Sequence, residues 1–375
     1  MSNANMLPTE NEQELFYQLA LTFVPEVGAR TGRALYEHFG TAEAIFKAQL
    51  REVKSIAGIS EERSKGFRDA AVLKRTEQEL ATATKHGINI LSYKNGNYPA
   101  RLANCIDSPL ILYYSGNGNL DAKKIVAIVG TRKCTDYGHR LCEELVEGLQ
   151  SQDDILITSG LASGVDTIAH KKSVELNMPT VGVLGHGLDM MYPVANKKLA
   201  KEMILNGGLL TEFPFETVPD KGKFPMRNRV VAGLADVTVV VESPKAGGSL
   251  ITGRLASGYN RDVAAFPGRV HDTRSAGCND LIRTNVAAMI TCADDLLDLM
   301  NWKSTKPKAI QKELFINLTE EEQRIIEILR TKDQVHADEL YHLTGYNSSQ
   351  LAATLLGLEM QNLVKTLPGK YYRMN

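Results

Sequence analysis

Residues 125–170 restrict the fold more than any other part of the chain. Ile125-Val126-Ala127-Ile128-Val129 is an unbroken apolar run ending in Gly130-Thr131-Arg132, and Ile155-Leu156-Ile157 runs into Thr158-Ser159-Gly160-Leu161-Ala162-Ser163-Gly164-Val165-Asp166. Two buried strands therefore each end in a glycine-rich turn. Between them, Leu141, Leu145, Val146 and Leu149 recur at three- and four-residue spacings from Tyr137 to Gln150, the period of an amphipathic helix. A strand-helix-strand crossover makes the two strands parallel. Both turns then open at one carboxyl edge, where open α/β sheets bind ligands.

The same rhythm continues to about Met300. Strands are expected at Thr180–Leu184, Gly208–Thr211, Val237–Val241, Val263–Ala265 and near Ala288–Thr291, with helical patterns in the gaps. Ahead of them, Leu73–Gly118 reads as a bridge: a helix through Leu80, a short strand near Ile88–Tyr93, and an apolar Leu110–Tyr114 that extends the main sheet. Tyr98-Pro99-Ala100-Arg101-Leu102 reads as a packing turn with an exposed arginine.

The two ends differ from this centre. Residues 1–72 are helical, with Val27-Gly28 and Ala57-Gly58 each leading into a helix, as in a tandem helix-hairpin-helix (SAM-like) domain. Glu26, Glu52, Glu61 and Glu62 crowd these turns, which favours a structural role over DNA contact. Residues 301–314 lose the apolar pattern and read as a linker. In 315–375, Thr319 to Glu322 opens a helix with a capping signature, two more helices follow, and Pro368-Gly369 divides a short hairpin. Three helices and a hairpin make a winged helix. Its recognition helix Ser348–Met360 lacks Lys and Arg, which favours a protein contact or autoregulation over DNA reading. The fold class is thus α/β: an extended Rossmann-like doubly wound sheet over residues 73–300, between a helical domain and a winged helix.

Composition removes several functions. The 375 residues carry 43 Lys+Arg against 44 Asp+Glu, so an anion site must come from local clustering. Five cysteines in no CxxC spacing argue for free thiols and against zinc, and Cys134 reads as a bystander. With no apolar run of about 18 residues and no signal-peptide core, a soluble cytoplasmic protein is expected.

Five elements are expected along the carboxyl edge. They are Gly130-Thr131-Arg132 with Lys133; Ser159-Gly160-Leu161-Ala162-Ser163-Gly164-Val165-Asp166 ahead of His170 and Lys171; Gly185-His186-Gly187-Leu188-Asp189 leading to Tyr192-Pro193; Lys221-Gly222-Lys223-Phe224-Pro225-Met226-Arg227-Asn228-Arg229; and Ala246-Gly247-Gly248-Ser249-Leu250-Ile251-Thr252. Small residues at helix starts let backbone N–H groups approach an oxyanion, and flanking cations neutralise it. Gly130-Thr131-Arg132 is not GxGxxG, and no GxxxxGK[ST] occurs, so neither a dinucleotide site nor a P-loop is supported. Asp166 and His186 are the acid-base candidates, although Asp166 suits the holding of its own turn. Several phosphate cradles beside one aromatic suit single-stranded nucleic acid. Phe224 either stacks on a base or packs in the core before Pro225.

In this order and spacing, Gly130-Thr131-Arg132, Thr158 to Asp166, Phe224-Pro225-Met226-Arg227-Asn228-Arg229 and Gly247-Gly248-Ser249-Leu250-Ile251-Thr252 closely resemble the bacterial DNA-processing protein A (DprA, Smf) family. The resemblance covers nearly the whole chain. It implies a dimeric, non-enzymatic, sequence-independent binder of single-stranded DNA that protects incoming strands in natural transformation and helps load RecA recombinase. It places dimerisation on the Rossmann domain; the residues themselves show no nucleophile, metal cluster or paired carboxylates, so no cofactor and no metal are expected. The family's basic pocket falls on Arg132, Lys221 and Arg227, with stacking at Phe224, and glycine turns contact phosphate. The rival is a Rossmann-type nucleotide-processing enzyme of phosphoribohydrolase kind. Its PGGxGTxxE pattern is missing: after Gly247-Gly248 no acid occurs before Asp262.

Overall fold

The apolar runs become strands because each is covered on both faces. A computed structural model describes residues 10–56, 61–94, 96–303, 318–332, 334–361 and 363–374. Its first unit, Met1–Lys303, is built on nine strands: β1 (Asn89–Ser92), β2 (Ile111–Gly116), β3 (Lys124–Val129), β4 (Ile155–Ser159), β5 (Thr180–Leu184), β6 (Gly207–Thr211), β7 (Val237–Val240), β8 (Asp262–Ala265) and β9 (Ala288–Met289). They lie in the order β1-β2-β6-β5-β4-β3-β7-β8-β9. β3 to β9 run parallel, while β2 joins β6 antiparallel and β1 joins β2 antiparallel. Leu110–Tyr114 thus extends the main sheet as expected. The winding reverses between β3 and β7, the switch point at which such sheets open a crevice.

Register decides which face each residue covers. Val126 stands opposite Ile157 and Val237, and all three enter one core with Cys142, Leu145, Val146 and Leu149 of the helix Asp136–Leu149. Ile125, Ala127, Val129, Leu156 and Val240 enter the other. Full burial of each Val or Ile stabilises the sheet by about 1.5–3 kcal/mol. Among the described residues no helix is long and apolar enough to cross a membrane.

The N-terminal helices do not form a separate core. Leu19, Leu35, Ile45, Val53, Phe67 and Val72 pack with Leu110, Ile111 and Tyr113 of the β2 segment and with Phe215. The helix Ala70–Lys85 also runs across residue 72, where a domain boundary was expected. Val27-Gly28 does lead into a helix, Ala29–Phe39, whereas Ala57-Gly58 and most of the expected linker lie outside the described residues. Arg101 corrects another expectation. Instead of standing free, its Nε donates to Asp236 Oδ1 at 2.6 Å, and Asp236 Oδ2 accepts from Ile125 N at 2.8 Å.

The second unit, Ser304–Asn375, contains helices Glu320–Arg330, Ala337–Thr344 and Ser348–Met360 and the antiparallel sheet β10 (Val335–His336), β12 (Tyr371–Met374), β11 (Val364–Leu367). Thr319 and Glu322 form the expected capping box. Ile325, Leu329, Leu340, Leu351, Leu355 and Leu358 fill its own core.

Candidate functional site

Three turns at the carboxyl edge are locked to each other by backbone. After β3, Thr131 N donates to Glu242 O at 2.8 Å, and Thr131 O accepts from Val165 N at 3.2 Å. The second contact requires glycine at 164: its φ is +81°, and a Cβ there would stand 2.2 Å from Thr131 O. The β3 and β4 turns therefore touch without a side chain between them. After β7, Gly247 N donates to Pro244 O at 2.9 Å and Ser249 Oγ to Ser243 Oγ at 2.8 Å, which shapes Gly247-Gly248-Ser249 ahead of the helix Ser249–Gly258.

Glu242 fastens this arrangement from below. Buried at the end of the β7 segment, its carboxylate accepts from Thr135 N at 2.9 Å and Thr135 Oγ1 at 2.6 Å, while Thr135 Oγ1 accepts from Gly138 N at 3.2 Å as helix cap. Sequence reading missed Glu242. Its signal was an acid directly after the apolar run Val237–Val241. Burial, then Glu242, pushes the neighbouring Cys134 thiol up to about 12, which keeps it inert.

Most of the cationic segment Lys221–Arg229 is helical, within Lys223–Leu234. Pro225 fits within its first turn, where backbone donors have no partner inside the helix. The helix separates the cations. Arg227 and Arg229 are two residues apart, about 200° around the axis, so they cannot face the same side. Arg227 is only 4% exposed. Its guanidinium donates to the carbonyls of Gly160 and Val183, its Nε to Asn228 Oδ1 at 3.2 Å. Beside it, Asp166 Oδ2 accepts from Ala162 N at 3.2 Å, so this acid holds its own turn. Burial raises the Asp166 pKa, and the Arg227 charge opposes that rise. Arg229 turns away to the Asp107 carbonyl and the Glu212 carboxylate, outside the site in which it was expected. Lys223 Nζ reaches Val218 O at 3.1 Å.

Arg132, Lys133 and Lys221 stay exposed to solvent, and the ring of Phe224 is half-exposed. The Arg132 guanidinium carbon lies 5.2 Å from the Phe224 centroid, and Tyr192 flanks the ring at 5.9 Å, tilted 35°. Phe224 is half-buried, seated over Gly185, where a Cβ would come to 3.0 Å from its Cδ1. Tyr192 is held by the buried His186, whose Nε2 accepts from Tyr192 N at 3.2 Å. That bond leaves Nδ1 to donate to Gly187 O at 2.9 Å. Arg132, Lys221, Phe224 and Tyr192 line a groove of about 500 Å³ together with Gly130, Gly160, Asn228 and Gly248. Behind it, His170 is buried and shares a 2.7 Å hydrogen bond with Thr180 Oγ1. Burial, then the Arg227 charge, pushes its pKa down to about 3. Among the described residues no three His, Cys, Asp or Glu side chains gather as metal ligands.

A switch-point groove with small-residue turns, exposed cations and a half-exposed ring, in a chain that also carries a winged helix, defines a Rossmann-like protein with an open cationic edge. The comparisons narrow that class. Residues 89–301 match the family described as DNA recombination-mediator protein A, and residues 312–370 match the DprA winged helix domain. The chain belongs to the DNA recombination-mediator protein A (DprA/Smf) family. It is 34% identical to Protein Smf of Synechocystis over 76% of this chain and 72% of that one. A crystal structure of DNA processing protein A from Streptococcus pneumoniae, 31% identical, superposes with a TM-score of 0.63 over 78% of this chain and 98% of that one. The Helicobacter pylori protein, described for its single-stranded DNA binding mode, is 30% identical, with a TM-score of 0.52 over 57% of this chain and 96% of that one.

Proposed function

We propose that this protein binds single-stranded DNA without sequence preference along the carboxyl edge. It would shield incoming strands and deliver them to RecA recombinase in transformation or recombination, as a homodimer through the Rossmann domain. The observation that carries the reading is the groove in which Arg132 and Lys221 border the half-exposed Phe224 over the small-residue turns Gly130-Thr131, Gly160-Ala162 and Gly247-Gly248, whose Thr131, Ala162 and Gly247 amides are engaged within the protein, so that the cations and the ring face the ligand. A backbone held repeatedly beside an aromatic face accepts any base. The Helicobacter pylori relative, whose structure concerns its single-stranded DNA binding mode, supports the same ligand. Binding without catalysis is supported by the acid-base candidates: Asp166 is engaged by the Ala162 amide, and both nitrogens of His186 are engaged by backbone.

The test is binding of single-strand and duplex oligonucleotides across a salt series. Preference for single strands, with affinity falling as salt rises, is expected; equal or absent binding sinks the proposal. Release of free base from nucleoside monophosphates would instead establish the phosphoribohydrolase reading. RecA delivery is checked by filament nucleation on single strands with and without the protein.

A further inference from the structure

β8 stands next to β7 at the same edge, and the groove does not use the segment that follows it. That segment is fastened at three points. Gly268 and Asn279 exchange two hydrogen bonds, each 3.0 Å; Tyr137 Oη donates to Pro267 O at 2.8 Å; and Arg274 Nη1 donates to Lys133 O at 3.3 Å. The last bond ties the loop to the residue beside Arg132. From this base the loop exposes Arg269, His271 and Arg274, with Val270 86% exposed between them.

No ion pair among the described residues engages Lys133, Arg269 or Arg274. Asp272, the only carboxylate in the loop, is turned onto it, accepting from Arg274 N at 2.9 Å and Ser275 Oγ at 3.5 Å. Glu242 is buried beneath and occupied by Thr135, which leaves Asp136 as the exposed acid at the start of the adjacent helix. Cations tethered close together without counter-charge repel one another, and a polyanion removes that repulsion. Neighbouring strands are about 4.8 Å apart, so the ends of β4, β3, β7 and β8 span about 15 Å, the reach of a short single strand.

We infer that the loop Gly268–Ser275 is a second phosphate-contact segment, which continues the single strand past the β3 and β7 turns. The inference rests on the single-strand reading above, and its test separates the two. Anisotropy titrations use oligothymidylates of about 4 and about 12 nucleotides, with the wild-type protein, Arg269→Ala, and Arg269→Ala/Arg274→Ala. Each phosphate contact on a single strand contributes about 0.7 to the salt slope, so at about 0.1 M salt the double variant should bind the long strand about 25-fold more weakly, with the slope lower by about 1.4. Arg269→Ala, which leaves the Lys133 tether intact, should show about 5-fold and about 0.7. Short-strand binding should not change. Unchanged long-strand binding would make the loop a solvated face, and equal loss on both lengths in Arg269→Ala would make it a support of the β3 turn; either overturns the inference. If the wild-type protein binds neither length, the single-strand reading itself has failed.

Discussion

Arg227→Ala is the substitution that best separates what the structure says from what charge alone suggests. A surface arginine on a DNA path would lose affinity and nothing else. Here the guanidinium is inside, bonded to the carbonyls of Gly160 and Val183 and set against buried Asp166. Removing it strips two carbonyls of their donor, at about 1–3 kcal/mol each if they stay dry. Asp166 also loses the positive charge that opposes its rise in pKa, though it relaxes by taking up a proton, and about 2–6 kcal/mol of destabilisation is expected from the two carbonyls. The sign with pH follows: the folded-state pKa of Asp166 is already raised and rises further without the cation. The variant therefore loses stability as pH climbs above the unfolded value of about 3.9, and it is least impaired in acid. Urea unfolding reads the stability, and oligonucleotide anisotropy across a salt series reads the contact. Lys221→Ala is the control with the opposite profile: unchanged unfolding, and a salt slope lower by about 0.7. If Arg227→Ala unfolds like the wild type and lowers the slope as Lys221→Ala does, the arginine reaches the DNA and the positioning argument is wrong.

Phe224→Ala should weaken single-strand binding by about 1–3 kcal/mol, with the unfolding midpoint little changed because the ring is half-exposed; a protein that no longer folds would return Phe224 to the core. His170 stays neutral in the fold, with its pKa pushed down to about 3, against about 6.5 when unfolded. Its stabilising contribution is present above about 6.5 and drains as pH falls toward 3, so the gap in urea midpoint between wild type and His170→Gln should shrink between about pH 7 and pH 4. A constant gap would show that His170 does not titrate with folding.

The central sheet was legible because parallel strands covered on both faces need unbroken apolar runs. Thr180–Leu184 falls as expected, and Val237–Val241 and Val263–Ala265 shift by one residue at an end. Turn residues were legible for a similar reason: glycine at 164 is a backbone requirement visible in the letter itself. Side-chain direction was not. The segment Lys221–Arg229 has too little apolar periodicity to reveal a helix, so four cations looked like one patch when the helical phase turns two of them inward. Partners distant in sequence were equally hidden, as with Arg101 and Asp236 or Thr135 and Glu242. The helical segment looked separable because its pattern changes, but a core is defined by what touches, and Leu110 and Tyr113 touch it.

The Glu242 clamp and the backbone contact at Gly164 have a consequence for traffic along the site. The turns are held by groups that no ligand has to displace, so a strand needs no closing motion to be admitted and none to be released. On the proposed reading, a single strand would advance by one nucleotide as one ion contact breaks and the next forms, and would be free to leave from either end. Were a strand to lie there as proposed, the edge would work as a rail from which it is lifted, rather than a jaw that must open.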